Sequence, residues 1–127
     1  MVTKPWKPMN KGIFSGEIHV LNLKSKKVSL LKPKGAGKLG TTFLREAAYN
    51  SDADIFLWAW HEKGKMLAYD PAGNRWVTLA IGGSAPFGFS TGHVYDTKRK
   101  LHWVTTNKGS VYCMRLDLAT ADVKRLE

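Results

Sequence analysis

A tyrosine and a tryptophan seven positions apart, Tyr69 and Trp76, enclose the stretch Asp70-Pro71-Ala72-Gly73-Asn74-Arg75. Proline presets the backbone for a turn, and Asn and Gly tolerate the tight conformations that turns need. Apolar residues, Met66 to Ala68 and Val77 to Leu79, flank the turn on both sides. The pattern is that of a β-hairpin, and it is not solitary. Gly16 to Leu31, Gly64 to Leu79 and Gly109 to Leu126 each run glycine, alternating strand, Asn or Asp, polar turn, second strand. Gly64 to Gly109 is 45 residues, Tyr49 to Tyr95 is 46 and Asp70 to Asp117 is 47. A period of this length constrains the fold more than any single residue does.

The later two units carry an earlier strand pair as well. Glu46 to Tyr49 leads through Asn50-Ser51-Asp52-Ala53-Asp54 into Ile55 to Trp60, and Gly92 to Tyr95 leads through Asp96-Thr97-Lys98-Arg99-Lys100 into Leu101 to Thr106. Ile55 to Trp60 is apolar on both faces, as a strand covered from both sides must be. The period and the strand count predict an all-β chain: a partial β-propeller of antiparallel four-stranded blades. The chain reads as one domain over residues 1–127, with an outer hairpin of a partial blade at 16–31, a full blade at 43–81 and another at 88–127. A ring needs roughly four blades at least, about 184 residues at this period. The 127 residues here cannot supply them. The expectation is closure by oligomerisation into a homo-oligomer, or that the remaining blades belong to a longer parent chain.

Unit two resembles a kelch repeat, and unit three does so more loosely. Tyr69 and Trp76 match that family's tyrosine and tryptophan, and Asp70-Pro71 with Asn74 fits its turn. The resemblance implies that the two aromatics pack between adjacent blades; the repeat itself makes Gly64 and Gly109 the openings of equivalent hairpins. The departures are specific. Trp58-Ala59-Trp60 stands where the family has paired glycines, Val28 replaces the tryptophan in unit one, and Met114 or Leu116 with Val123 replaces the aromatic pair in unit three.

Composition narrows function. The net charge of +10 is uneven: residues 1–38 hold nine lysines and one acid, residues 39–93 four bases and five acids, residues 94–127 seven bases and four acids. Such asymmetry marks a surface for nucleic acid or acidic partners, or a solvated tail and hairpin. Lys24, Lys26, Lys27, Lys32, Lys34 and Lys38 are the residues for phosphate contacts. The single cysteine, Cys113, excludes an internal disulfide and reads as a small buried apolar residue. The lack of a disulfide and of an apolar leader favours a cytoplasmic setting. No stretch reaches the roughly 20 apolar residues of a membrane helix, so no membrane partner is expected.

Catalytic motifs are sparse. His19, His61, His93 and His102 form no close metal pair, and no Cys-x-x-Cys occurs, so neither a metal nor a cofactor is expected. Tyr112-Cys113 invites comparison with kelch-containing copper oxidases but lacks their histidine and tyrosine set. Gly35-Ala36-Gly37-Lys38 lacks the full phosphate-loop spacing. Asp52 and Asp54 share a turn with too few further ligands for calcium. His93 begins an inner strand near the axis, where propellers bind ligands. His61 lies in a connection, while His19 and His102 alternate within strands as packing residues. Trp58 and Trp60 share a strand face; exposed, they would stack on sugars or a partner protein, and buried, they would pack between blades. The leading expectation is a non-enzymatic binding or protein-interaction scaffold. Its protein or carbohydrate ligand would meet the loops 32–42, 61–63 and 82–93. The alternatives are a basic nucleic-acid-binding module using the N-terminal lysines, and part of a catalytic propeller completed by residues of other blades or subunits.

Overall fold

The computed structural model describes residues 16–36, 47–62, 65–80, 90–118 and 123–125; for 59–62, 90–91 and 123–125 it describes the backbone only. Among the described residues the chain is all-β and antiparallel, with no α-helix. The strands are β1 (Ile18–Leu21), β2 (Val28–Leu31), β3 (Ala47–Asn50), β4 (Ile55–Glu62), β5 (Lys65–Asp70), β6 (Arg75–Ala80), β7 (Ser90–Asp96), β8 (Leu101–Thr106), β9 (Val111–Met114) and β10 (Val123–Arg125). They form a two-stranded sheet β1-β2, a five-stranded sheet in the order β10-β6-β5-β4-β3, and a three-stranded sheet β7-β8-β9.

One local device shapes four of the hairpins. An Asn or Asp at the end of the first strand turns its side-chain oxygen onto backbone N–H groups of the turn. Asn22 accepts from Lys24 and Ser25, Asn50 from Asp52 and Ala53, Asp70 from Gly73, and Asp96 from Lys98 and Arg99. A residue just before the return strand then takes a positive φ: Lys26, Asp54, Asn74 and Lys100, at 56°, 51°, 44° and 59°. Asn and Asp adopt this conformation readily, while lysine does so against a steric cost of about 1–2 kcal/mol. The polar residues between strands thus close the turns and set the register that sends alternate side chains to opposite faces.

Those faces build two cores on the five-stranded sheet. Trp58, Leu67, Tyr69 and Trp76 lie on its front, packed against Ile18 and Leu31 of the β1-β2 hairpin. Ile55, Leu57, Met66, Ala68, Val77 and Leu79 lie on its back, packed against Met114 and Leu116. The result is three layers: hairpin, five-stranded sheet, three-stranded sheet. Tyr69 and Trp76 are direct cross-strand partners, with ring centroids 5.5 Å apart. Tyr69 donates its hydroxyl to Asn74 Oδ1 at 3.0 Å, and the Trp76 indole N–H donates to the Gly16 carbonyl at 2.9 Å. The tryptophan is fully buried, contributing roughly 2–3 kcal/mol by removal of apolar surface.

The last strand departs from the repeat. Val123 onward is expected to return beside β9 and complete a four-stranded unit. Instead β10 pairs with β6, Val123 opposite Leu79 and Arg125 opposite Val77. Met114 of β9 packs on the back of the five-stranded sheet. On the same edge of β6, Lys34 makes a parallel bridge to Arg75, with Trp76 N–H donating to the Lys34 carbonyl at 2.9 Å. Trp76 and Thr78, two positions apart, direct their backbone groups the same way, so Lys34 and β10 share that edge. An outer edge that would otherwise template further pairing is covered. Among the described residues the sheets do not close into a ring.

Candidate functional site

The chemically richest place among the described residues is the seam where β3 of one sheet meets β7 and β8 of the next. It begins with Asn50, buried at the end of β3. Its Oδ1 is occupied by the Asp52 and Ala53 N–H groups, both at 3.1 Å. Its amide nitrogen therefore faces His102 Nε2, at 2.9 Å, and donates to it. This assigns the tautomers along the seam. His102 accepts at Nε2, so its proton sits on Nδ1, which donates to His93 Nε2 at 3.0 Å. His93 then carries its own proton on Nδ1, a buried atom without a hydrogen-bond partner.

Both imidazoles are held neutral. Burial lowers His102 to about 4. Burial, and after it the neighbouring His102, lowers His93 to about 4, against a smaller opposing influence of the Leu57 backbone. Tyr95, the cross-strand neighbour of His102, lays its ring against it at a centroid distance of 4.7 Å.

The seam reaches solvent through Tyr95. Its hydroxyl donates to Asp52 Oδ2, while Lys100 Nζ donates to Asp52 Oδ1 at 2.7 Å. The hydrogen bonds from Lys100 and then Tyr95 hold the Asp52 carboxyl below the usual range. The same carboxylate pushes Tyr95 up to about 12. Beside it Tyr49 donates to Asp54 Oδ1 at 2.7 Å, and this bond raises the phenol. The β3-β4 and β7-β8 turns are therefore joined by side chains from both sheets.

The sequence-derived candidates fall as follows. His93 is in the seam, bonded to His102. Trp58 is 7% exposed and packs on Trp76 at 5.0 Å, so it is not presented to a ligand. Trp60 and His61 lie on β4, and their side chains are outside the described residues, as are Gly64 and Lys38. Lys24, Lys26, Lys27, Lys32 and Lys34 are all exposed, the first three around the β1-β2 turn. Gly109 has a φ of 78° and closes the β8-β9 turn, donating to the Thr106 carbonyl at 3.0 Å. Of the three expected ligand loops, 37–42 and 82–89 are outside the described residues. Cys113 is exposed, not buried: it stands opposite Trp103 on the outer face of the three-stranded sheet.

Sequence reasoning missed Asn50, Tyr95 and the seam role of His102. One signal was present. By the 46-residue offset His102 occupies the place of Phe56, so a polar ring stands on an apolar face. Asp52 and Asp54, weighed as a cation pair, each face a hydroxyl instead. Among the described residues no three His, Cys, Asp or Glu side chains converge as a metal site. An apolar cleft of about 110 Å³ lies between the sheets, walled by Leu57, Met66, Leu79, His102, Met114 and Leu116. Small-molecule sites generally need about 300 Å³ or more, so the cleft is a packing gap. Comparison with known family models, curated proteins and solved structures finds no match.

Proposed function

We propose that the chain is a β-propeller-type scaffold with a non-enzymatic binding role, its ligand engaging the turns fixed by the seam. The observation that carries this reading is how the polar groups of the seam are used. Asn50 bonds His102 and His102 bonds His93, while Tyr95 and Lys100 both bond Asp52, so the polar side chains of two sheets are tied to one another. A general base needs a pKa near the working pH, and the two histidines lie at about 4. Groups so arranged make the β3-β4 and β7-β8 turns rigid, and rigidly held turns are where scaffolds bind. The stacking of sheets along the 46-residue repeat, with β3 of one against β7 of the next, supports the propeller part of the reading.

The test is selection of a displayed random-peptide library on the purified chain, then titration of a labelled survivor. Saturable binding that falls at least tenfold in the Lys98→Ala, Arg99→Ala double variant is the expected result. Both side chains are exposed on the β7-β8 turn, so folding is retained. Binding indifferent to that turn, or no saturable binder, refutes the reading.

A second reading rests on the exposed Lys24, Lys26, Lys27, Lys32 and Lys34. As a nucleic-acid surface they would bind a labelled single-stranded oligonucleotide with an affinity that falls steeply between about 50 and 200 mM salt. Salt-insensitive binding, or none, removes it.

A further inference from the structure

Each sheet face in this molecule has a type, defined by the repeat. Ile55 and Leu57 on the back of the five-stranded sheet correspond, 46 positions on, to Leu101 and Trp103; Met66 and Ala68 correspond, 45 positions on, to Val111 and Cys113. In the five-stranded sheet this back face is buried by the sheet that follows it. In the three-stranded sheet the same face is open: Val94 and Val111 are 59% and 61% exposed, Cys113 is exposed, and Trp103 is half-buried between them.

The hairpin presents the opposite case. Ile18 and Leu31, cross-strand partners on its back, meet the front of the five-stranded sheet. Its front carries the cross-strand pairs His19-Leu30 and Leu21-Val28. By the alignment of Gly16 with Gly64 these correspond to Leu67, Thr78, Tyr69 and Trp76, the face that elsewhere receives the preceding layer. Here Leu21, Val28 and Leu30 are exposed. Both contacts inside the chain join a back face to a front face. Among the described residues, each copy is left with one open face of each type.

We propose that a second copy of this chain covers the open back face: the β7-β8-β9 sheet of one copy receives the front of the β1-β2 hairpin of the next, head to tail. The inference rests on the propeller-type reading, because the face types come from the repeat. A contact between two different patches is heterologous, so successive copies close into a ring if the rotation allows. The apolar character of both patches supplies the driving force.

Two single substitutions at exposed positions test it: Val111→Glu on the back face and Leu30→Glu on the front. Solution mass is read by light scattering after size exclusion, and circular dichroism checks that each variant is folded. The wild type is expected to form a discrete oligomer. Each variant alone is expected to run as a monomer, and an equimolar mixture as a dimer that grows no further, because each copy keeps one intact face. A monomeric wild type overturns the inference, as does a variant that still assembles fully. Two monomeric variants that fail to combine overturn it too, since their intact back and front faces then do not bind each other. Peptide binding by a monomeric wild type would leave the scaffold reading standing while this inference fell; assembly without any turn-dependent binder would do the reverse.

Discussion

Acid should weaken this fold well before its carboxylates are protonated, and the seam sets the amount. In the unfolded chain His93 and His102 have the ordinary value near 6.5; in the fold both lie at about 4. Between these values the unfolded state binds protons that the native state refuses. The stability they contribute is therefore complete above about pH 6.5 and is lost as the pH falls toward 4. From pH 6.5 to 5 each histidine costs about 2 kcal/mol at 1.36 kcal/mol per unit. His93 is only half-buried, so its share is discounted, and the pair together costs about 3 kcal/mol. Domains of this size are stable by about 5–15 kcal/mol, so the loss is a large fraction. The assay is urea denaturation followed by tryptophan fluorescence at fixed protein concentration, at pH 7, 6 and 5. A fall in midpoint of about 2 M is expected for a slope near 1.5 kcal/mol/M. Asp52 and Asp96 do not confuse the window. Their lowered values, caused by Lys100 with Tyr95 and by Arg99 with Lys98, release stability only below about pH 4. The His102→Gln variant should be weaker at pH 7 yet lose about half of the pH dependence. A midpoint unchanged from pH 7 to 5, or a His102 ring titrating near 6.5 by NMR, would refute the neutral seam.

Further substitutions probe other links. Asn50→Ala strands His102 Nε2 and two turn N–H groups, and should cost about 2–4 kcal/mol by urea denaturation at pH 7. Trp76→Phe keeps the ring in the front core but abandons the Gly16 carbonyl; thermal unfolding should register a loss of about 1–2 kcal/mol. Gly73→Ala places a Cβ 2.6 Å from both Arg75 Nε and Asp70 Oδ2. Making room displaces a half-buried ion pair and the carboxylate that accepts from the Gly73 N–H, so the variant should lose about 1–2 kcal/mol by urea denaturation, the scale of one hydrogen bond to a charged group.

The hairpins were readable because their determinants are local. Asn22, Asn50, Asp70 and Asp96 act on backbone two or three positions ahead, and Tyr69 meets Trp76 within one turn. The seam was not readable as a whole, since Asn50 and His102 are 52 positions apart: the 46-residue offset marks His102 as a polar ring in the place of Phe56, but nothing local names Asn50 as its partner. His93 stood out only because the repeat put it on an inner strand. The path of β10 was hidden for a different reason. Val123, Lys124 and Arg125 alternate equally well beside β9 or β6. The pairing with β6 is made between strands far apart in sequence, and nothing within Val123 to Arg125 marks it. Cys113 was misjudged because small apolar residues usually sit inside, whereas its face of the three-stranded sheet is open.

The clasp of β10 on β6 also governs the order in which this chain can fold. β3 to β6 are sequential antiparallel neighbours, and their hairpins can form as soon as each has been synthesised. The outer edge of β6, however, waits for a strand made only after β7, β8 and β9. Pairing over that separation costs loop entropy before it gains any contact, which makes it a late step. During that interval β6 offers a free template to other nascent or refolding copies. Refolding yield should consequently fall with protein concentration even where the finished fold is stable, because the window for mispairing is set by the time β10 takes to arrive.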